Sequence, residues 1–491
     1  MSRYPRARHL LPLGGLLVLA AALRLPGLAY GLPFPLLNPD ERSIVPRAWE
    51  LVHGGGLDPG WYDYPSLLLL VLAPMQLPFD EPSYGAARIL IVAIGLGGVA
   101  AAWWLGRSAY GPSAGVLAGA ACAVATVHVV YSHMAVTDVL LTTCVTVTLA
   151  LLLTGRLEWA GVAAGLAASA KYPGILLAVP ILLVGWREWR RLGLAAAGGV
   201  LAFFLTSPFV VIHAGAAWDD IARVQRLGRA GWLGFEDDPA TPLAFLDRLW
   251  EALGPFLLIA LAGLALALGA LVLEQHKRLS RRGRTTVKEG PARSRANELV
   301  LEQHKLADLA LASFALVWFV QLLPLSAHYD RYVLPLVPVL GALAGRLPRL
   351  APVALALLVV PLAWSAGEVR ELIRTDTRVV AHAWIEQNVP ADALVAVEPS
   401  TPPVDPRRTL GLELPGPGRE LDPNRDLARL RARGADYVLV TGAVADRVLE
   451  AADRYPRESA FYAELESATQ RVLFVSPGGE LGGPWVALYR L

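Results

Sequence analysis

The chain has 491 residues, 55% hydrophobic and 18% charged, with a net charge of +2 and a mean hydropathy of +0.45. A soluble protein of this size carries about 25% charged residues, so the composition excludes an ordinary soluble globular chain. The small net charge, with neither zinc-finger spacing nor a Walker loop, gives no sign of a nucleic-acid partner.

The charge deficit is uneven. Segments 10–23, 89–105 and 257–273 carry no charged residue, whereas the chain after Glu368 is ordinary. This predicts a helical polytopic membrane domain over 1–367 and a water-soluble domain over 368–491. The N-terminus carries Arg3, Arg6 and Arg8, then an apolar run to Tyr30. Ala20-Ala21-Ala22 offers a signal-peptide cleavage region, but the run continues past it, which favours an uncleaved first helix. Hydropathy predicts about eleven membrane helices, over 10–29, 85–105, 112–131, 138–154, 158–171, 173–186, 192–212, 251–273, 307–325, 332–346 and 350–367. Segment 66–78 is short for a span and reads as a helix lying in the outer interface. Cys122 and Cys144 fall in apolar stretches and read as buried thiols rather than a disulfide.

Alternate threading gathers Arg3, Arg6, Arg8, Arg107, Arg156, Arg187, Arg190, Arg191, Arg346, Arg349 and a basic loop over 274–305 on one side. By the positive-inside rule that side is cytoplasmic, with the N-terminus, and an odd number of spans puts the C-terminal domain outside. The basic loop is flanked by two copies of Leu-Val-Leu-Glu-Gln-His-Lys, at 271–277 and 299–305. One short duplication cannot build a repeat architecture, and the loop reads as a solvated tether near lipid headgroups. After residue 367, helices over 374–388, 426–433 and 457–467 and strands over 394–398, 437–441, 471–475 and 485–489 predict a small α/β domain.

The outer loops hold the residues suited to chemistry. Asp40 and Glu41 follow the first span; a carboxylate near a bilayer suits a general base, and equally a helix cap before Ser43. Asp138, next to Thr137, lies at the outer end of a span, where an ionisable group suggests function and a helix cap is the plain alternative. The chain has four lysines against 40 arginines, and Lys171 alone lies outside the basic loop. It can hold a phosphate as a compact charge or snorkel to the interface. His328, Tyr329, Arg331 and Tyr332 sit at the mouth of a late span, where an arginine grips phosphate oxygens and tyrosines anchor a membrane. Tyr62 and Tyr64 belong to an aromatic cluster that anchors at an interface or stacks on a sugar. A carboxylate base and phosphate-binding cations on one face suit attack by a hydroxyl on a sugar whose leaving group is a lipid phosphate.

These pieces, in order, resemble the GT-C glycosyltransferases of the protein O-mannosyltransferase and aminoarabinose-transferase type, glycosyltransferase family 39 and its bacterial relatives. They are Asp40-Glu41, Tyr64-Pro65-Ser66, Ala87-Arg88, Gly106-Arg107 with Tyr110-Gly111, Tyr131-Ser132 with Thr137-Asp138, Ala170-Lys171-Tyr172-Pro173, Ser207-Pro208-Phe209, and His328 through Pro335. The resemblance implies a GT-C fold with an outer α/β domain in a bacterial inner membrane, and Asp40 as general base with Glu41 beside it. Asp138 would position the acceptor or Asp40. Lys171, His328 and Arg331 would hold the lipid phosphate, with Arg42, Tyr62, Tyr64, Tyr172, Tyr329 and Tyr332 around the substrate. The donor would be a polyprenyl-phosphate sugar, the acceptor a protein, lipid or polysaccharide hydroxyl, and the reaction inverting. Asp63-Tyr64-Pro65 departs from the Lys or His that family members carry before this proline. The metal is left open, with room for a divalent ion. Two rivals are a glycan ligase or polymerase using lipid-diphosphate donors, and a transporter or lipid-binding scaffold. The second would be expected to show internal repeats and charges at mid-span.

Overall fold

The computed structural model describes residues 11–281 and 295–491; Arg3, Arg6, Arg8, Arg282, Arg284, Lys288 and Arg293 lie outside these. The first half of the helical part runs through α1 (Leu11–Arg24), α2 (Glu41–Glu50), α3 (Leu67–Gln76), α4 (Tyr84–Tyr110), α5 (Pro112–Val124), α6 (Thr126–Tyr131), α7 (Thr137–Leu153), α8 (Leu157–Ala170) and α9 (Ala178–Gly185). It continues through α10 (Trp189–Thr206), α11 (Pro208–Ile212), α12 (Ala214–Ala230), α13 (Thr241–Leu253), α14 (Phe256–Arg281), α15 (Arg295–Leu322), α16 (Leu336–Ala344), α17 (Ala351–Leu357) and α18 (Val359–Ile373).

Among the described residues four stretches are long and apolar enough to cross a membrane by length and composition: Tyr84–Tyr110, Phe256–Glu274, Val300–Leu322 and Pro348–Ile373. Several other runs that hydropathy reads as single spans are interrupted. Segment 192–212 breaks at Ser207, because Pro208 pushes the residue before it out of the helical region. Segment 173–186 opens with a 3-10 turn, Tyr172–Leu177, and segment 112–131 breaks at Ala125, where ψ is 123°. Hydropathy measures composition and passes over such breaks.

The break at Ala125 shows how a buried interruption is made tolerable. It leaves the carbonyls of Cys122, Ala123 and Val124 without the helical donors they would otherwise meet. Arg24, at the end of α1, donates to Cys122 O at 3.0 Å and Ala123 O at 2.8 Å, and Ser365 of α18 donates to Val124 O at 2.8 Å. Each buried carbonyl left unpaired would cost about 1–3 kcal/mol, so these two side chains stabilise the kink and tie α1 and α18 to it. Elsewhere packing depends on small residues. A Cβ on Gly161 or Gly165 of α8 would lie 2.1 Å from a backbone oxygen of α10, so the glycine spacing lets the two backbones touch.

Beyond Ile373 the elements are β1 (Thr375–Asp376), α19 (Thr377–Asn388), β2 (Leu394–Val397), β3 (Arg408–Gly411), α20 (Leu427–Ala432), β4 (Tyr437–Thr441), α21 (Gly442–Glu450), α22 (Pro456–Ala468), β5 (Gln470–Val475), β6 (Leu481–Gly482) and β7 (Val486–Arg490). Five strands form a mixed sheet in the order β3-β2-β4-β7-β5, with β2 parallel to β3 and β4, and β7 antiparallel to β4 and β5. Along β4 the side chains alternate between two apolar cores: Val438 and Val440 face Leu430, Val444 and Phe461, whereas Leu439 faces Ile385 and Val395. The segment beyond β2 reaches the helical part, where Arg42 Nη2 donates to Thr401 O at 3.4 Å. The turn between α12 and α13 is held from the same side, by Tyr455 Oη on Glu236 at 2.6 Å and by the Arg419 guanidinium 4.5 Å from the centre of the Trp232 ring.

Candidate active site

Asp40 and Glu41 stand at the start of α2. Asp40 occupies the N-cap position without capping the helix through its side chain. Its Oδ2 instead accepts from Tyr64 Oη at 3.0 Å and from Arg331 Nη1 at 3.0 Å, and among the described residues no hydrogen bond engages its Oδ1. Burial and the Asp40 carboxylate push the Tyr64 hydroxyl well above its ordinary range, so it stays a donor. Glu41, about 100° further round the helix, faces the other way. Its two oxygens accept from Arg88 Nε at 2.9 Å and Nη2 at 2.8 Å, and Oε1 also takes the Ala135 N–H at 2.9 Å. Arg88 donates onward to Tyr30 O at 2.7 Å. Glu41 thus joins the start of α2 to α4 and to the turn before α7, fully buried and turned from Asp40's partners.

Asp138 lies in the first turn of α7, where the helix dipole favours a carboxylate, and Lys171 directly follows α8, where it favours a cation. The two helices are consecutive and pack side by side, so these ends meet: Lys171 Nζ donates to Asp138 Oδ1 at 2.7 Å. Asp138 Oδ2 is buried and has no hydrogen-bond partner among the described residues. Lys171 Nζ also lies 5.4 Å from the ring centres of both Tyr64 and Tyr332, a cation held between two aromatic faces.

Arg331 sits in the 3-10 turn Asp330–Val333 before α16. Asp330 Oδ1 accepts the Arg331 N–H at 2.8 Å and Tyr131 Oη at 2.7 Å, which fixes the turn. The segment leading into it is gripped from the α12–α13 region. Gly228 O accepts the N–H groups of both Ser326 and Ala327 at 3.0 Å, and Arg248 Nε donates to His328 O at 3.1 Å. His328 itself is buried, with Nδ1 3.0 Å from Asp238 Oδ2 and Nε2 3.2 Å from Thr241 Oγ1, while Arg248 holds both oxygens of Asp238. Both ring nitrogens are engaged away from Lys171 and Arg331. The expectation that His328 contacts a phosphate therefore meets a side chain already used to hold the Arg331 segment.

A cavity of about 120 Å³ opens beside these groups, lined by Asp138, Lys171, Arg331, Tyr64, Tyr172 and Tyr332 among others. Asp40 lies one side chain behind it. Glu41, Arg42, Tyr62, His328 and Tyr329 are not on its wall. Arg42 points to Thr401, Tyr62 Oη donates to Asp58, and Tyr329 packs edge-on against Phe235. Asp63, of the Asp63-Tyr64-Pro65 segment that lacks the Lys or His expected before its proline, lies on the wall and pairs with Arg223 at 2.6 Å. Sequence reasoning missed the wall residues Gln225, Gln321 and Trp318 and the supports Asp238 and Arg248. A glutamine inside an apolar run was a readable signal for Gln321; Asp238 and Arg248 lie in ordinary polar segments and offered none. Among the described residues no group of three or more His, Cys, Asp or Glu side chains is placed to hold a metal ion.

The family model for glycosyltransferase family 87 matches residues 61–288, rather than family 39, to which the motifs pointed. The match starts after Asp40 and ends before Arg331. No curated protein sequence matches the chain. Among solved structures, ArnT from Cupriavidus metallidurans bound to undecaprenyl phosphate aligns with a TM-score of 0.57 at 14% identity, over 98% of this chain and 97% of that one. The Archaeoglobus fulgidus oligosaccharyltransferase tethered to an acceptor peptide aligns with a TM-score of 0.59 at 12% identity, over 94% and 72% of the two chains. The oligosaccharyltransferase AglB from the same organism, in complex with an inhibitory peptide and a dolichol-phosphate, gives 0.57 at 12% identity over the same shares. At these identities the likeness speaks for architecture: the chain has the GT-C fold of membrane glycosyltransferases.

Proposed function

We propose that this protein is a membrane glycosyltransferase that moves a sugar from a polyprenyl-phosphate donor to an acceptor hydroxyl at the outer face of the membrane. The observation that carries the reading is the state of Asp40: Oδ2 is held by Arg331 and Tyr64, two residues of the cavity wall, and among the described residues no hydrogen bond engages Oδ1. The family 87 match and the GT-C neighbours, whose bound molecules include undecaprenyl phosphate and dolichol-phosphate, support the same class.

In this reading the donor's phosphate lies against Lys171 and Arg331. The acceptor oxygen attacks C1 of the sugar from the face opposite the phosphate, and the C1–O bond to phosphate breaks as the new bond forms. One displacement inverts the anomeric centre. The acceptor proton passes to Asp40 Oδ1, and the leaving group departs as a phosphate anion that needs no general acid, because cations already balance its charge. Asp138 keeps Lys171 in place through Oδ1. Glu41 and His328 act as positioning residues, the first under Asp40 and the second under Arg331. The basic loops mark the cytoplasmic side, with the site and the α/β unit opposite.

The test is mass spectrometry of lipid-linked sugars and cell-envelope glycans with and without the gene. Accumulation of one polyprenyl-phosphate sugar on deletion is expected; unchanged pools of every such lipid would refute the reading.

A further inference from the structure

The turn between α12 and α13 packs against both parts of the molecule. Its sequence, Gly231-Trp232-Leu233-Gly234-Phe235, puts three large apolar residues within four positions and is followed by three acids, Glu236, Asp237 and Asp238. One surface cannot bury side chains so close together, and the two glycines resolve the conflict. Gly231 and Gly234 take φ of 104° and 95°, in the left-handed region that glycine enters readily. The chain changes direction at each, and the apolar side chains between and after them reach different surfaces.

Leu233 enters the C-terminal unit. It is 1% exposed and shares a core with Leu412, Leu430, Val438 and Val444. The fit around it is close. Arg447 Nη1 donates to Leu233 O at 3.4 Å, and a Cβ on Gly234 would stand 2.7 Å from Arg447 Cδ. The exposed Arg454–Asp237 pair beside it, at 3.7 Å, adds little next to a fully buried leucine.

Phe235 and Trp232 reach the helical part. The Phe235 ring stands edge-on to Tyr329 with centres 4.9 Å apart, and the Trp232 ring centre lies 6.2 Å from the same ring. Tyr329 in turn carries the Arg331 guanidinium, whose carbon is 4.8 Å from the ring centre. From there Arg331 reaches Asp40 at 3.0 Å. An unbroken line of contacts thus runs from the core of the C-terminal unit, through this turn, to the Asp40–Arg331 pair. The same turn ends α12, which lines the cavity with Ile221, Val224 and Gln225 and of whose residues Ala217 alone is buried. A helix so lightly packed depends on how its end is fixed.

We infer that the C-terminal unit is a working part of the donor site: Leu233 is a positioning residue that, through Phe235 and Tyr329, holds the Arg331 guanidinium where it meets the lipid phosphate. The inference rests on the lipid-phosphate reading above and adds to it a residue and a unit of the chain that the transfer step itself does not touch.

The test uses the purified full chain and one probe, bare polyprenyl phosphate, with affinity read by tryptophan fluorescence on folded, monodisperse protein. Leu233→Ala is expected to weaken binding ~5-fold, the worth of one aromatic or cation–π contact, whereas Leu233→Met, which refills the same space, stays within ~2-fold. Phe235→Leu leaves the C-terminal core intact, is expected to lose ~5-fold as well, and carries the test if Leu233→Ala fails to fold. His328→Gln leaves the Tyr329 ring under the guanidinium and is the comparison, within ~2-fold of wild type. The variants are then repeated in an Arg331→Ala background. There Leu233→Ala and Phe235→Leu should each change affinity by less than ~2-fold, because residues that act through one group are not additive. A leucine that served only to stabilise the fold would lower affinity by the same factor in both backgrounds, and that result overturns the inference. Wild-type affinity in folded Leu233→Ala or in Phe235→Leu overturns it too. Failure of the bare lipid phosphate to bind the wild-type chain, or equal binding to Arg331→Ala, would instead remove the lipid-phosphate reading and this inference with it.

Discussion

The cavity around Asp40 and the knot around Glu41 use the same pair of groups, a carboxylate and a guanidinium, and use them differently. The Glu41–Arg88 pair is 0% exposed on both sides, and both carboxylate oxygens are taken. In the Asp40–Arg331 pair the carboxylate is 28% exposed and one oxygen is open. A closed pair resists change, because removing one partner strands the other in a medium that cannot solvate it. An open pair can accept a proton and exchange partners during a reaction. The α2 N-terminus therefore carries a closed carboxylate and an open one on consecutive residues, separated by the rotation of one helical step. The Glu398 cluster of the C-terminal unit repeats the closed type, with Arg425 at 2.8 Å, Tyr462 and the Thr441 N–H around one buried carboxylate.

This contrast can be broken or sharpened by substitution. The largest loss of function is expected for Asp40→Asn, which keeps the shape and removes the base. Sugar transfer should fall about 10²–10⁴-fold, the usual contribution of a general base, with expression and melting temperature unchanged. Normal turnover in this variant, measured with purified chain and lipid-linked donor, would end the assignment. Glu41→Ala should show the reverse pattern, a loss of about 3–5 kcal/mol of stability from the stranded Arg88 guanidinium, read as a lowered melting temperature in detergent. If it melted like wild type yet lost turnover, Glu41 would belong to the chemistry. Arg331→Ala should weaken donor binding about 10- to 100-fold, the worth of charged hydrogen bonds to phosphate, and more than Asp40→Asn does. Equal donor affinity in wild type and Arg331→Ala would remove its role. The smallest effect is expected for His328→Gln: turnover drops a few-fold as the Arg331 segment loosens, and donor affinity stays within ~2-fold, because no phosphate bond is lost. A loss of affinity as large as that of Arg331→Ala would return His328 to the phosphate site.

Much of this arrangement was legible in the order of residue types. The run of apolar segments and the one-sided arginines predict a membrane part and its sidedness. The alternation Tyr437-Val438-Leu439-Val440 predicts β4, and four predicted strands coincide with β2, β4, β5 and β7 to within one residue. The edge strand β3, Arg408-Thr409-Leu410-Gly411, lacks that alternation because it is exposed, and the pattern passes over it. Helix breaks at Ala125 and Ser207 were equally invisible to hydropathy, since a kinked apolar segment has the same composition as a straight one.

At the site the division is similar. The sequence by itself determined which chemical groups gather at the ends of the helices: Asp40, Asp138, Lys171, Arg331 and the tyrosines, all carried by loops and helix termini that the threading places on one side. It determined this because charge is expelled from apolar spans and collects where they end. Only the tertiary structure decided which groups meet. It turned Glu41 to Arg88 and Asp40 to Arg331, spent His328 on Asp238 and Thr241, and brought Gln225 and Gln321, nearly a hundred residues apart, to one wall. Those outcomes depend on the direction of each side chain about its helix and on contacts between distant segments, and no local pattern of residue types encodes either.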